Sequence, residues 1–307
     1  MGLAEGDERV GNGRVILDKR MTAQQIVAQL RDGMTLGIGG WGPRRKPMAL
    51  VREIIRSDLK DLTIVAYGGA DVGMLCAAGK IKKLVFAFVS LDAIPLEPWF
   101  RKSREAGKIE VLELDEGMFQ WGLKAAAFGL PFLPTRVAMG TNLAELGDLK
   151  TVQSPYADGE TLIAMPALKL DAALIHVNRS DWRGNVQLLG PDPYYDEWFA
   201  KAAAKTYLSC EELVDRIEDH YPEDAQANTF ERCFVSGVVE MSGGAHPSSM
   251  PPLHGPDMKW FKTYAEAARD PGDWQAVAAQ FVGASEAEYL AGIGGKEAVM
   301  NIPLAIY

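Results

Sequence analysis

Apolar residues along this chain fall into short continuous runs, separated by stretches in which they recur at helical spacing. After a polar, charged opening, the first local signal is Thr22-x-x-Gln25. At this spacing a threonine hydroxyl and a glutamine amide can cap each other's backbone N–H groups at a helix start. Ile26, Val27 and Leu30 continue at helical spacing, and Gly33 marks a stop. Residues 34–38 read as a short buried strand entering the turn Gly37-Ile38-Gly39-Gly40-Trp41-Gly42. Residues 47–55 read as a helix that tolerates Pro47 in its first turn. The pattern then repeats, with strand-type runs at 62–66, 84–89, 109–114, 172–177, 206–209 and 234–240. Helical stretches lie at 72–78, 119–128 and 197–204. Apolar strands alternating with helices predict an α/β fold, an open and mostly parallel sheet covered by helices on both faces. Residues 264–289 read as terminal helices. The expected organisation is a loose leader over 1–20 and a single α/β domain over 21–307.

Composition narrows the setting. Of 307 residues, 48% are hydrophobic and 24% charged, as in an ordinary globular protein. The opening segment has no apolar signal core, and no run approaches the ~18 apolar residues of a membrane span. A cytoplasmic protein with no membrane partner is expected. The net charge of −9 argues against a nucleic-acid partner, which wants a basic face, yet leaves room for a local cationic pocket. Cys76, Cys210 and Cys233 lie far apart, outside any C-x-x-C pattern, and are expected to be free and buried. No cluster has metal-ligand spacing, so no metal is expected, and no resident cofactor is expected either.

In parallel sheets ligands gather beyond the carboxyl ends of the strands, so the turns that follow strands are where chemistry is sought. The turn Gly39-Gly40-Trp41-Gly42 precedes Pro43-Arg44-Arg45-Lys46-Pro47. Glycines there let backbone N–H groups approach a ligand, and a following helix start favours an oxyanion or phosphate. Arg44, Arg45 and Lys46 fit the same ligand; a tight turn beside a solvated basic cluster is the alternative. Asp115-Glu116-Gly117 follows the strand at 109–114. Crowded, partly buried acids there make a candidate general base, or else simply complement a helix N-terminus. His246, in Gly243-Gly244-Ala245-His246-Pro247-Ser248-Ser249, is either a positioned acid/base or a structural hydrogen-bonder.

Taken in order, these turns resemble the alpha subunits of family I coenzyme A transferases, glutaconate coenzyme A-transferase among them, over roughly residues 22–252. The markers are the glycine turn at Gly39 to Gly42, the Met139-Gly140-Thr141 turn, Leu170-Asp171-Ala172-Ala173-Leu174-Ile175, Asp181-Trp182-Arg183-Gly184-Asn185, and the His246 segment. The resemblance implies an alpha–beta heterodimer or heterotetramer with its site at the subunit interface and coenzyme A entering as part of the substrate. It also implies an acyl-CoA site lined by Gly39, Gly40, Trp41, Gly42, Arg44, Arg45, Lys46, Gly140, Thr141 and His246. One departure is informative. Where typical alpha subunits read P-Q-G-T, this chain has Leu114-Asp115-Glu116-Gly117-Met118. That feature and the basic continuation after Gly42 look like the alpha subunits of actinobacterial steroid-ring-degrading hydrolases, which open the last carbon ring of cholesterol-type skeletons. By this resemblance a glutamate of the alpha subunit carries the chemistry and maps to Glu116, the expected base; the N–H groups of Gly39 to Gly42 are then candidate oxyanion donors, and the three cations candidates to hold a substrate carboxylate or coenzyme A phosphates. The alternatives are a true coenzyme A transferase, with its nucleophilic glutamate on the beta subunit, and a non-catalytic scaffold subunit.

Overall fold

The computed structural model describes residues 8–9, 15–146, 148–191, 193–269 and 274–305. Its centre is a parallel sheet of β1 (Thr35–Ile38), β2 (Leu62–Gly68), β3 (Ile81–Val89), β4 (Glu110–Glu113), β5 (Leu170–Asp181), β6 (Ala203–Val214) and β7 (Val235–Glu240). The strand order is β7-β6-β5-β1-β2-β3-β4, and the short strand Val186–Gln187 adds antiparallel to β5. The chain winds outward from β1 to β4 and then returns to lay β5 on the other flank of β1. Winding therefore reverses between β1 and β5, and a ligand crevice is expected beyond their carboxyl ends.

The runs are continuously apolar because both faces are covered. Leu36, Ile38, Ile64, Ala66, Leu84 and Leu174 point into one core, under α1 (Ala23–Val27), α2 (Met48–Arg56), α3 (Ala70–Ala77) and α4 (Pro98–Glu105). Their neighbours Val65, Tyr67, Val85, Ala173, Ile175 and Leu208 point into a second core, under α5 (Glu116–Ala127) and α6 (Asp196–Ala202). The alternation is the strand's own period of two, hidden because neither face meets water.

The expected capping box is present, with Gln25 N–H donating to Thr22 Oγ1 at 3.1 Å and Thr22 N–H to Gln25 Oε1 at 2.8 Å. Where it is described, the leader is paired. Glu8–Arg9 pairs with Val15–Ile16, and Lys19 and Met21 bond the backbone of Val238 on the outer edge of the sheet. The remainder of 1–20 lies outside the described residues. Cys76 and Cys210 are buried as expected, but Cys233 is exposed. A further element was not foreseen, a three-stranded antiparallel sheet of Phe132–Thr135, Thr161–Pro166 and Thr151–Gln153 that packs against α5. Of four terminal helices, α7 (Met258–Ala267) and α8 (Trp274–Val282) close the first core, and α9 (Glu286–Gly292) and α10 (Gly295–Met300) follow, burying Tyr289 and Val299. Among the described residues no helix is long and apolar enough to cross a membrane.

One buried acid makes stability depend on pH. Glu97 is fully buried and caps α4 by accepting the Phe100 N–H at 2.6 Å. Burial pushes its carboxyl up to about 8. The folded chain thus holds a proton that the unfolded chain releases above the ordinary carboxylate range. Stability is fully present below that range and declines as pH rises toward 8. A Glu97→Gln chain, which keeps the cap acceptor, is expected to melt with the parent at about pH 4 and above it at about pH 8. Thermal melts across that interval check this.

Candidate active site

The glycine turn after β1 is held closed by the protein itself. Gly39 N–H donates to Leu174 O at 2.9 Å, Trp41 N–H to Arg44 O at 3.0 Å, and Gly42 N–H to Tyr67 O at 3.2 Å. Gly40 N–H donates to Asp196 Oδ1 at 2.8 Å. Every donor that the turn was expected to offer a ligand is therefore committed, and the turn forms a fixed wall. The glycines are needed for packing. A Cβ on Gly39 would lie 2.7 Å from Asp196 Oδ1, and one on Gly40, at φ +74°, only 2.4 Å from Arg44 O.

The basic triplet divides in the same way. Arg45 is 1% exposed and pairs with the fully buried Asp196 at 2.6 Å, and Lys46 pairs with buried Asp71 at 3.1 Å. Burial pulls the Lys46 ammonium below its usual range, and Asp71 opposes that pull. These two cations clamp the turn from inside, which corrects the expectation that they face a phosphate or carboxylate. Arg44 remains near the surface, bonded to Asp92 at 2.5 Å and lying over the Trp41 ring at 5.0 Å. Arg44, Asp92, Tyr194, Pro251 and Leu304 line a mostly apolar cleft of about 350 Å³.

An aromatic row runs from the turn toward the sheet edge. Trp41 stacks on Tyr194 at 6.0 Å and meets Phe88 edge-on at 4.7 Å. Tyr67 lies 5.6 Å from Phe88, 5.0 Å from Tyr195 and 4.4 Å from Phe119. The row ends at Glu116, whose backbone carbonyl accepts the Tyr67 hydroxyl at 3.1 Å.

The two acids after β4 have separate jobs. Asp115 is the cap of α5, accepting the Gly117 N–H at 2.7 Å. Glu116 opens the helix, half-buried, and its carboxylate makes no hydrogen bond or ion pair with the described residues. A helix N-terminus favours the charged form, but burial and then the Asp115 charge win and raise the Glu116 carboxyl. An uncommitted carboxylate of raised pKa at a strand's carboxyl end is what a general base requires.

The other expected residues scatter. His246 is 1% exposed between the Tyr289 hydroxyl at 2.8 Å and Asp257 at 3.0 Å, and burial pulls its pKa down. It is a structural histidine joining the loop after β7 to α9, and not a ligand contact. Gly140 and Thr141 sit exposed in a turn with Gly140 at φ +74°. The same turn's Val137 would lie 3.2 Å from a Cβ on Gly117, which places it beside the start of α5. Among the described residues no three His, Cys, Asp or Glu side chains converge as metal ligands.

Sequence reasoning missed Tyr67, Gln120, Tyr195 and Asp196. Gln120, one helical turn after Glu116, donates to the Tyr195 hydroxyl at 2.6 Å. Its i+4 spacing was the available signal. Asp196 offered only an acid in a helix's first turn.

The coenzyme A transferase family model matches residues 20–240. The chain is 49% identical to the cholesterol ring-cleaving hydrolase IpdA subunit of Rhodococcus jostii (strain RHA1), covering 90% of this chain and 96% of that one. It is 48% identical to the subunit of the same name from Mycobacterium tuberculosis (strain ATCC 25618 / H37Rv), covering 90% and 97%. In structure it is similar to glutaconate coenzyme A-transferase of Acidaminococcus fermentans, with a TM-score of 0.86 at 28% identity over 94% of this chain and 96% of that one.

Proposed function

Because the chain belongs to the coenzyme A transferase family, we propose that it is the alpha subunit of a heteromeric enzyme that opens a carbon ring by hydrolysis of a cyclic β-keto coenzyme A thioester, the last ring of a steroid skeleton. The observation that carries this reading is the uncommitted, pKa-raised carboxylate of Glu116 beyond β4. The near-half identity to subunits named for cholesterol ring cleavage supports it.

Glu116 takes a proton from water, and the water oxygen attacks the ring ketone β to the thioester. The tetrahedral alkoxide collapses and breaks the bond between the former ketone carbon and the α-carbon. The electron pair passes into the thioester as an enolate. The proton held by Glu116 returns to the α-carbon, leaving a new carboxylic acid and an intact thioester. Water is consumed and no group is transferred. The aromatic row gives the ring system an apolar wall, and Arg44 is the cation of the triplet placed to meet an anionic group.

A second subunit completes this picture. Phe128, Leu130 and Phe132 are exposed at the far end of α5 and the start of the small antiparallel sheet, on the helix that Glu116 opens, and Leu146 is exposed as well. A beta subunit seated there would exclude bulk water and cover these side chains. The reconstituted two-subunit complex, given a steroid-derived cyclic β-keto acyl-CoA in ¹⁸O water, is expected to place one label in the new carboxylate. Transfer of coenzyme A to an added carboxylic acid, with an unopened ring, would refute hydrolysis.

A further inference from the structure

The glycine turn cannot supply the donors for the enolate that this mechanism builds, because its four N–H groups are already bonded. The geometry points to Tyr195 as the hydrogen-bond donor to the developing oxyanion, with Gln120 as the residue that positions it. This inference rests on the hydrolytic reading above.

Three observations carry it. Tyr195 precedes α6 at the end of the aromatic row, its ring 5.0 Å from that of Tyr67, which itself bonds the Glu116 carbonyl at 3.1 Å. Its hydroxyl oxygen accepts the Gln120 amide at 2.6 Å, and no hydrogen bond in which it donates is formed with the described residues. The rotor is therefore fixed with its lone pair toward Gln120 and its proton directed elsewhere. Gln120 also stands one turn along α5 from Glu116, so both side chains leave the same helix face. Base and donor are thus presented together to whatever lies above that face.

Chemistry agrees with the placement. Burial, and after it the nearby Glu116 charge, raises the Tyr195 phenol above its ordinary range, so it stays protonated at neutral pH. Amide donation to its oxygen polarises the O–H bond and strengthens it as a donor. A neutral donor preset where negative charge appears acts mainly on the transition state, so its loss falls on kcat more than on KM.

The test uses the assembled two-subunit enzyme with a cyclic β-keto acyl-CoA. Tyr195→Phe is expected to lower kcat by about a hundred- to a thousand-fold, with KM within a few-fold and Tm unchanged. Gln120→Leu is expected to lower kcat by less, and to add nothing when combined with Tyr195→Phe, since both act through one donor. Full kcat in Tyr195→Phe alongside an inactive Glu116→Gln enzyme overturns the assignment of Tyr195 and leaves the hydrolytic reading standing. A fully active Glu116→Gln enzyme overturns that reading and this inference with it. Should Tyr195→Phe lower Tm, the Gln120→Leu enzyme decides: unchanged kcat at unchanged Tm overturns the proposal, and a several-fold fall sustains it.

Discussion

Glu116→Gln in the assembled enzyme is expected to lower turnover by about a hundred- to ten-thousand-fold, the range of a positioned general base. The amide is nearly the same size as the carboxylate and cannot accept the proton of water. Because the Glu116 carboxylate bonds to no described residue, its removal leaves no stranded partner. Stability and subunit assembly are therefore expected to match the parent, which separates a chemical loss from a folding one. The pH dependence supplies a second handle. A general base works as its carboxylate, so the proposed role predicts a rate that falls as pH drops through the Glu116 pKa. That pKa is raised by burial and by Asp115, so the acid limb stands above the ordinary glutamate range. Replacing Asp115 by asparagine, which can still cap α5, moves the limb toward lower pH. Steady-state kcat/KM against pH for the three enzymes measures both effects.

Asp196→Ala is expected to destabilise the chain by about 3–5 kcal/mol, the usual consequence of stripping the partner from a buried charge. The buried Arg45 guanidinium would lose the carboxylate bonded to it at 2.6 Å. The Gly40 N–H would lose its acceptor as well. Asp196→Asn, able to satisfy Gly40 but not the charge, is expected to fall between. Equilibrium denaturation with urea reads the differences directly. Loss of Asp196 also frees the wall of the crevice, so activity should decline at temperatures where the fold still stands.

How much of this was legible in the sequence depended on whether a signal was local. The Thr22–Gln25 cap, the apolar runs of the central strands and the Asp115-Glu116 pair after β4 each depend on neighbours within a few positions, and each is found where the pattern places it. The basic triplet was misread because charge patterning gives the type of group but not its direction. Arg45 takes φ +50°, and Arg45 and Lys46 turn inward to acids at Asp196 and Asp71. Nothing near them in sequence announces Asp196, which is 151 positions from Arg45. His246 misled for a related reason: its partners Tyr289 and Asp257 lie in the terminal helical region, whose packing no periodicity specified. The small antiparallel sheet escaped notice because its strands are three to six residues long and two of them contain proline.

The wiring of the glycine turn also fixes when the site can mature. Gly39 awaits the carbonyl of Leu174, and Gly40 awaits a carboxylate 156 positions later. A chain emerging from the ribosome amino end first can pair β1 with β2 early, but the acceptors for Gly39 and Gly40 are missing until residues 174 and 196 have been made. Long-range closures of this kind are slow, and they leave apolar strand edges uncovered in the interval. The crevice is thus among the last parts of the sheet to set. Its assembly depends on both halves of the chain having folded around β1, so synthesis and quality control meet the site only as a finished object or as an open edge.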